Sequence, residues 1–291
     1  MIDYDKIFPD LRLKELDPLK QMQIILYRIL QIIDDICKRN KIDYWIDSGT
    51  LLGAVRHKDF IPWDDDLDIC MPRKSYEKFI KIAQQELPYD LFLETKKTDK
   101  ERPLHFIKVR DRFSSINHIS GKTVKWLNSI YVDVFPVDLF SESFKKTSKI
   151  IYKLQYKGFK SKNPLKIMYS FFTFFLKFTG IFKFITVILN FGNKKYYSYA
   201  ISFQRWWPQF HKINDVYPLK PILFKDNFFL APNNPDIYLR EYYGDYMKLP
   251  PEEERKPLHS LDVDVTKPYP HKESLNWHTD ERKNYAKNTT R

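Results

Sequence analysis

Residues 44–71 read Tyr-Trp-Ile-Asp-Ser-Gly-Thr-Leu-Leu-Gly-Ala-Val-Arg-His-Lys-Asp-Phe-Ile-Pro-Trp-Asp-Asp-Asp-Leu-Asp-Ile-Cys-Met. The apolar residues 44–46 predict a short buried strand, and the Ser-Gly-Thr turn after them leads into a short helix over 51–56. A second strand is predicted over about 66–71, and it starts among four aspartates. Strand and helix thus alternate over a short distance, which is typical of an α/β or α+β core.

The flanking sequence extends this core to roughly residues 17–140. Asp17-Pro18 is a typical helix start, with Asp17 as the N-cap, and Asn40 is a plausible residue just past the helix end. A further helix is predicted over 76–85. Three more strands are predicted, the last of which stops at Pro136. The predicted segments with an apolar strand pattern are 91–94, 105–109 and 129–135.

The aspartates predict a metal site. Alternate residues of a strand point to the same face, so Asp66 and Asp68 would project together, and Asp64 could join them. Carboxylates crowded beside apolar residues repel one another, and Mg²⁺ removes that penalty because it prefers carboxylate oxygens, water and phosphate as ligands. The alternative is a solvated acidic turn. Asp133, in the middle of an apolar strand, is expected either to complete the ligand set or to act as a general base. Asp138 is a weaker candidate, and its alternative role is to cap a turn.

The turn formed by Ser48, Gly49 and Thr50 is a candidate phosphate-binding site. Backbone N–H groups at a helix start favour anions, and a glycine permits their close approach. The signal is weak alone, but it gains weight from the acidic strand that follows. Strand, Ser/Gly turn, helix and acidic strand together form the layout of nucleotidyltransferase-fold enzymes.

Composition excludes several classes of protein. The chain has 291 residues, of which 43% are apolar and 16% aromatic, so it is expected to fold. Seven glycines make a Gly-rich dinucleotide loop unlikely. Cys37 and Cys70 suggest neither a disulfide framework nor structural zinc. No secretory signal is visible at the N-terminus, so we expect a cytoplasmic location.

The net charge of +12 is confined to one segment. Residues 143–214 contain thirteen lysines, Arg205 and no acidic residue, which gives +14 and leaves about −2 for the rest of the chain. Long aromatic blocks between 167 and 191 favour helices that lie in the interface of an anionic membrane. A helical insert packed on the core and a true membrane span are the alternatives. Nucleic-acid binding is disfavoured, because the basic segment is apolar in long blocks rather than a polar groove.

Residues 48–69 closely resemble the LicD family of phosphotransferases, which is related to fukutin. Asp59 departs from the glycine typical of the family, a change that does not touch the acidic residues. The resemblance continues in Phe-Ile-Lys-Val-Arg-Asp at 106–111 and Val-Asp-Val-Phe-Pro-Val-Asp at 132–138. It returns in Tyr-Tyr-Gly-Asp-Tyr-Met-Lys-Leu-Pro-Pro at 242–251. These blocks lie on both sides of the basic segment. The resemblance as a whole covers about half of the chain.

The resemblance implies a nucleotidyltransferase-like core, which agrees with the α/β (α+β) pattern and predicts a mixed sheet flanked by helices. The composition of the basic and aromatic segment adds a mainly helical insert to this core. We accordingly predict a catalytic core at 1–142, a membrane-surface segment at 143–214 and a C-terminal region at 215–291 that returns to the core and ends in a polar tail.

The resemblance also implies a set of site residues. The metal ligands are expected to be Asp64, Asp66, Asp68 and Asp133, and the last three are the candidate catalytic residues. Phosphate ligands are sought among cationic side chains, since Arg offers a two-pronged donor and Lys a point charge. The predicted substrate-binding residues are Ser48, Gly49, Thr50, Arg56, His57, Lys108, Arg110, Tyr243, Gly244 and Asp245.

The hypothesis that follows is a Mg²⁺-dependent (or Mn²⁺-dependent) enzyme that moves a phosphocholine-like group from a CDP-alcohol to a sugar hydroxyl. The acceptor would be a cell-surface glycan or its lipid-linked precursor, and the enzyme would sit peripherally on the inner face of the cell membrane. A nucleotidyltransferase that releases pyrophosphate and a non-catalytic, membrane-associated assembly factor are the alternatives.

Overall fold

The computed structural model describes residues 2–14, 17–98, 106–118, 129–159, 163–175, 181–199, 208–257 and 260–265. The helices in these ranges are α1 Tyr4–Ile7, α2 Pro18–Asn40, α3 Ser48–Arg56, α4 Arg73–Glu86, α5 Glu142–Phe159, α6 Pro164–Phe175, α7 Ile181–Leu189, α8 Ile213–Val216 and α9 Pro235–Tyr243. The strands are β1 Trp45–Ile46, β2 Asp68–Pro72, β3 Leu91–Glu94, β4 Ile107–Asp111, β5 Ser115–His118, β6 Tyr131–Ser141, β7 Lys194–Ser198, β8 His211–Lys212, β9 Lys220–Phe224, β10 Asn227–Ala231 and β11 Ser260–Asp264.

A mixed sheet organises the molecule. Its main path runs β1-β2-β6-β4-β3, and β7 and β8 continue it beside the C-terminal half of β6. β2 and β6 are parallel, and their neighbours pair antiparallel. Strands β9 and β10 form a hairpin, and β11 pairs with β5. The predicted mixed sheet flanked by helices is therefore confirmed.

Helix α2 provides much of the main core. The Asp17 side chain accepts a hydrogen bond from the Lys20 amide at 2.9 Å, so the predicted N-cap is confirmed. Ile29 and Ile33 of the predicted apolar stripe are fully buried against the sheet. The helix ends one residue later than predicted, because Lys41 and not Asn40 adopts the left-handed conformation, with φ 50°.

Strand β6 continues past Pro136, where the sequence predicted its end. A proline cannot donate a ladder hydrogen bond, so it usually terminates a central strand. Here β4 pairs with β6 only at residues 131–134, and β7 pairs with it only at 138–141. Pro136 thus lies outside both of these antiparallel pairings, beyond the end of β4 and before the start of β7. The basic segment thus contributes a strand to the same sheet as the aspartates.

The basic segment is mostly helical, as predicted, but it also contains β7 and β8. In the described part of the chain, no helix has both the length and the hydropathy needed to cross a membrane. The predicted polar tail after about residue 276 lies outside the described residues. The division of the chain into three parts remains a prediction.

Candidate active site

A row of charged residues crosses the sheet. Asp68 on β2 lies opposite Asp133 on β6, which in turn lies opposite Lys108 on β4. Directly paired residues of neighbouring strands project to the same face. On β6, Val132 and Val134 occupy the opposite face and are fully buried. The charged row therefore lies on the face of the sheet opposite to Val132 and Val134.

Asp68 is at the centre of a group of carboxylates. Burial raises the pKa of the Asp68 carboxyl well above its usual value of 3.8. The negative charges of Asp66, Asp133, Asp47 and Asp64 raise this pKa further, in that order. Crowded, desolvated carboxylates disfavour the ionised form unless a proton or a cation compensates them.

Asp64 and Asp66 precede the strand and do not belong to it. The Asp64 amide donates to the Ile61 carbonyl at 2.9 Å, and the Gln23 side chain donates to the Asp64 carbonyl at 2.9 Å. These bonds form a turn, and β2 begins only at Asp68. The predicted strand alternation from Asp66 to Asp68 is therefore wrong, although Asp66 still exerts the largest charge effect on the pKa of Asp68.

The Ser48-Gly49-Thr50 turn connects the acidic elements. Ser48 adopts a left-handed φ of 46°, which is strained for a non-glycine residue. A Cβ at Gly49 would lie 2.8 Å from the nearer carboxylate oxygen of Asp64, so only glycine permits this approach without a shift. The Thr50 hydroxyl accepts from the Asp68 amide at 2.9 Å. All three predicted residues thus lie next to the aspartates.

Asp47 is a buried carboxylate that the sequence prediction missed. Its amide donates to the Asp68 carbonyl at 2.9 Å, which places it beside the charged row. Oδ2 of Asp47 accepts from the Ser48 hydroxyl at 3.0 Å and from the Tyr199 hydroxyl. Oδ1 is buried and has no hydrogen-bond partner among the described residues. The only sequence signal was an acidic residue immediately before the turn.

Tyr199 comes from the basic segment, just after β7. Its hydroxyl bonds Asp47 and lies 2.6 Å from the Cys70 sulfur, and its ring meets Phe135 edge-on at 5.7 Å between centroids. Tyr199 and Asp47 are 152 residues apart in sequence. Periodicity and spacing could not have brought them together.

Two predicted phosphate ligands are engaged within the fold. Lys108 is 2% exposed and forms an ion pair with Asp133, and its ammonium lies 3.3 Å from the centroid of the Tyr131 ring. Arg110 is buried, pairs with Glu94 through Nε and donates Nη1 to a backbone carbonyl at 2.7 Å. Phosphate binding by these two side chains stays a prediction. Their observed contacts favour a structural role, for Lys108 within the charged row and for Arg110 in its pair with Glu94.

Arg56 and His57 lie at the end of α3. Arg56 donates Nη1 to the Tyr246 carbonyl at 2.8 Å and Nε to His57 Nε2 at 2.9 Å. Burial and the neighbouring Arg56 lower the pKa of His57, so the ring is neutral at neutral pH and can accept that bond. Burial also lowers the pKa of Arg56, while the Asp64 charge opposes this effect. Arg56 is therefore an oriented cation close to the carboxylates.

The three predicted residues at the end of α9 are not equivalent. Burial, followed by the charges of Asp47 and Asp68, raises the pKa of the Tyr243 hydroxyl, which places this residue within reach of the acidic group. Tyr243 is nevertheless 43% exposed, so it lies at the rim. Gly244 caps α9 with φ 65°, and Asp245 is exposed in the following turn.

Residues 41–169 match the family described as LicD/FKTN/FKRP, nucleotidyltransferase domain. This stretch of the chain is therefore a LicD-family domain. The match includes the turn, the acidic residues and the charged row. Tyr199 and the strand before it lie beyond its end.

Several proteins of known sequence are similar to this chain. It is 28% identical over 268 residues to the lipopolysaccharide cholinephosphotransferase LicD of Haemophilus influenzae, covering 83% of this chain and 96% of that relative. An uncharacterised protein of Rickettsia typhi is 34% identical over 120 residues, which are 40% of this chain and 36% of that one. Human ribitol 5-phosphate transferase FKRP is 57% identical over 28 residues, 10% of this chain and 6% of its own. These relatives support phospho-alcohol transfer in glycan synthesis as the reaction class of this protein.

The acidic group fits a divalent cation in its chemistry. Carboxylate oxygens are the ligands that Mg²⁺ and Mn²⁺ prefer, and the raised pKa of Asp68 reflects negative charge that a cation would compensate. As placed here, no three His, Cys, Asp or Glu side chains of the described residues form a ready metal-binding group. Side-chain movement of Asp64, Asp66 or Asp68 would therefore accompany binding.

Proposed function

We propose that this protein is a metal-dependent phosphotransferase that moves a phospho-alcohol group, such as phosphocholine, from a CDP-linked donor to a sugar hydroxyl. The carrying observation is that Asp64 and Asp68 both lie against the first turn of α3, while Asp66 acts electrostatically on Asp68 and Asp133 lies opposite it. The acceptor would be a cell-surface glycan or its lipid-linked precursor, at the inner face of the membrane. The printed activities of the H. influenzae and human relatives support this reaction class.

The proposed reaction is a displacement at the phosphorus that carries the alcohol. The sugar oxygen forms a new bond to this phosphorus, the bond to the bridging oxygen breaks, and CMP leaves with that oxygen. A carboxylate takes the proton of the sugar hydroxyl. This chemistry depends chiefly on positioning and on charge stabilisation at the phosphates.

The residues divide into two groups. Asp64, Asp66 and Asp68 would hold a Mg²⁺ or Mn²⁺ ion, which would supply positive charge to the donor phosphates. The first turn of α3 and the Arg56 guanidinium both lie near Asp64. The first-turn amides and this guanidinium would bind and orient the donor diphosphate.

Asp133 is the first candidate for the proton acceptor, and the Asp66 and Asp68 pair is the second. The ion pair with Lys108 fixes the Asp133 carboxylate on the face of the sheet that carries Asp68. In the proposed arrangement, the Lys108 ammonium thus holds the Asp133 carboxylate in place. This carboxylate would accept the proton of the sugar hydroxyl.

The test incubates the purified protein with Mg²⁺ and, separately, CDP-choline, CDP-ethanolamine, CDP-ribitol and CDP-glycerol, with and without a glycan acceptor. CMP release that depends on an acceptor supports the proposal and identifies the alcohol. Pyrophosphate release from CTP would instead support nucleotidyl transfer, the alternative suggested by the fold.

The Asp68→Asn variant tests the site. We expect transfer to fall by about three orders of magnitude, because one carboxylate of a catalytic metal site is lost. The matched control is Glu253→Gln, which makes the same acid-to-amide change at an exposed position and should retain activity. Unchanged transfer by a folded Asp68→Asn protein would refute the mechanism, and full biological function without any transfer would favour the assembly-factor alternative.

A further inference from the structure

Helices α6 and α7 carry an exposed apolar face. Ten large apolar side chains on these helices and at Phe191 just after them are each between 49% and 74% exposed. They are Leu165, Met168, Phe171, Phe172, Phe175, Ile181, Phe184, Val187, Ile188 and Phe191. Single exposed apolar residues are ordinary on a protein surface, but so many on two successive helices indicate an interaction surface.

The inner side of α7 is already packed. Ile185 and Leu189 contact a small second core that includes Phe140 and Phe144, and Thr186 is buried. The outer side of the same helix is equally apolar. Apolar side chains on both the inner and the outer side of a helix favour an apolar environment on the outer side as well.

Positive charge surrounds this face. The segment 143–214 carries +14 by sequence and contains no acid. Helix α5, which packs beside α6, has the exposed residues Lys146, Lys149 and Lys153 at helical spacing of three and four. Lys149 forms an ion pair with Glu241 at 3.4 Å, so Lys146 and Lys153 are the two that bear on membrane binding. Lysines of this kind near an anionic lipid surface add binding energy, and their long stems let the ammonium reach the headgroup layer.

We propose that the exposed apolar face of α6 and α7 inserts into the headgroup boundary of an anionic bilayer, with the α5 lysines bound to lipid phosphates. This mode needs an apolar face and basic residues near it, and the segment has both. A second copy of the chain is a poorer occupant, because it would bring another acid-free, positively charged segment against the first. The proposal names the surface behind the membrane location suggested above, but it does not depend on the transfer chemistry.

Vesicle flotation tests this surface on the full chain. We expect the protein to float with vesicles of phosphatidylcholine and phosphatidylglycerol in a ratio of about 7:3, and to bind pure phosphatidylcholine vesicles at least tenfold more weakly. The double variants Phe171→Ser/Phe172→Ser and Phe184→Ser/Val187→Ser should each weaken binding at least tenfold. Lys146→Glu/Lys153→Glu should weaken it by about twentyfold or more.

Matched controls separate the surface from general effects. Phe228→Ser removes an equally exposed phenylalanine, 58% exposed on β10, and Lys220→Glu/Lys248→Glu reverses two exposed lysines outside the segment. Both should bind vesicles like the wild type. Thermal melting checks that every variant folds, which is expected because the replaced side chains are exposed.

Three results would overturn the proposal: absence of flotation by the wild type, equal binding to pure phosphatidylcholine, or wild-type binding by both apolar double variants. Sedimentation velocity gives a fourth. A dimer that the apolar substitutions dissociate, without vesicle binding, would assign the face to a second copy. Asp68→Asn should bind vesicles normally, so failure of the transfer mechanism and failure of the membrane surface are distinguishable.

Discussion

Replacement of Gly49 by alanine should lower activity without lowering stability. The added Cβ would lie 2.8 Å from Asp64 Oδ2, whereas ordinary contact begins at 3.4 Å. The carboxylate must therefore move by about 0.6 Å, the difference between these distances. A 1 Å misplacement at a reacting centre can cost about 100-fold in rate, so we expect kcat/KM to fall by about tenfold or more.

The stability of Gly49→Ala should be equal to or slightly above that of the wild type. The group that must yield is the end of the Asp64 side chain, and alanine is a better helix former than glycine by up to about 1 kcal/mol. Gly53→Ala is the contrasting variant. There a Cβ would lie 2.6 Å from the backbone carbonyl oxygen of Asp59, which cannot rotate away. We expect Gly53→Ala to lose about 2–3 kcal/mol of unfolding free energy in urea titrations.

A double-mutant cycle with Asp64→Ala tests the cause. If Gly49 acts by making room for Asp64, the alanine at position 49 should have little further effect once that carboxylate is gone. An undiminished effect in the Asp64→Ala background would refute this explanation and point to direct obstruction of the donor phosphates. Wild-type kcat/KM for Gly49→Ala would refute the positional argument altogether.

Three further predictions concern the charged row and the contact of Tyr199 with Asp47. Because the folded-state pKa of Asp68 lies above its unfolded value of 3.8, its ionisation destabilises the metal-free protein as pH rises above about 4; Asp68→Asn in EDTA should melt higher than the wild type at pH 7, with the gain vanishing at pH 4, and a lower melting temperature at pH 7 would contradict the assignment. Lys108→Met should lower the free energy of unfolding in urea by about 3 kcal/mol, because Asp133 loses its buried cation, and Lys108→Met/Asp133→Asn should recover part of it. Tyr199→Phe keeps the ring but removes the hydroxyl that Asp47 accepts, so a loss of about 1.5–3 kcal/mol is expected in the same titration; an unchanged midpoint would show that this bond contributes nothing to stability.

The local patterns of the sequence predicted the elements well. The N-cap at Asp17 and the strand over Leu91–Glu94 are found where predicted, because capping and apolar runs act within a few residues. The family resemblance also led to the confirmed fold class. The prediction placed Asp66 on a strand, however, because the sequence does not show that the Gln23 side chain of α2 donates a hydrogen bond to the Asp64 carbonyl.

The contacts that are distant in sequence could not be predicted. Pro136 looked like a strand end because β7, which pairs with β6 beyond this proline, comes from the distant basic segment. Lys108 looked like a phosphate ligand because its pairing with Asp133 depends on strand register. The contact of Asp47 with Tyr199 joins two parts of the chain that share no local signal.

The position of β7 restricts how this protein can be trimmed for laboratory work. Helices α6 and α7 invite deletion, since their exposed apolar side chains would promote aggregation during purification. Deletion of the whole basic segment would also remove β7, β8 and the Tyr199 hydroxyl from the sheet edge beside the aspartates. A shortened version should therefore retain α5, α7 and residues 194–199 and 208–212, and replace only α6 with a polar connection.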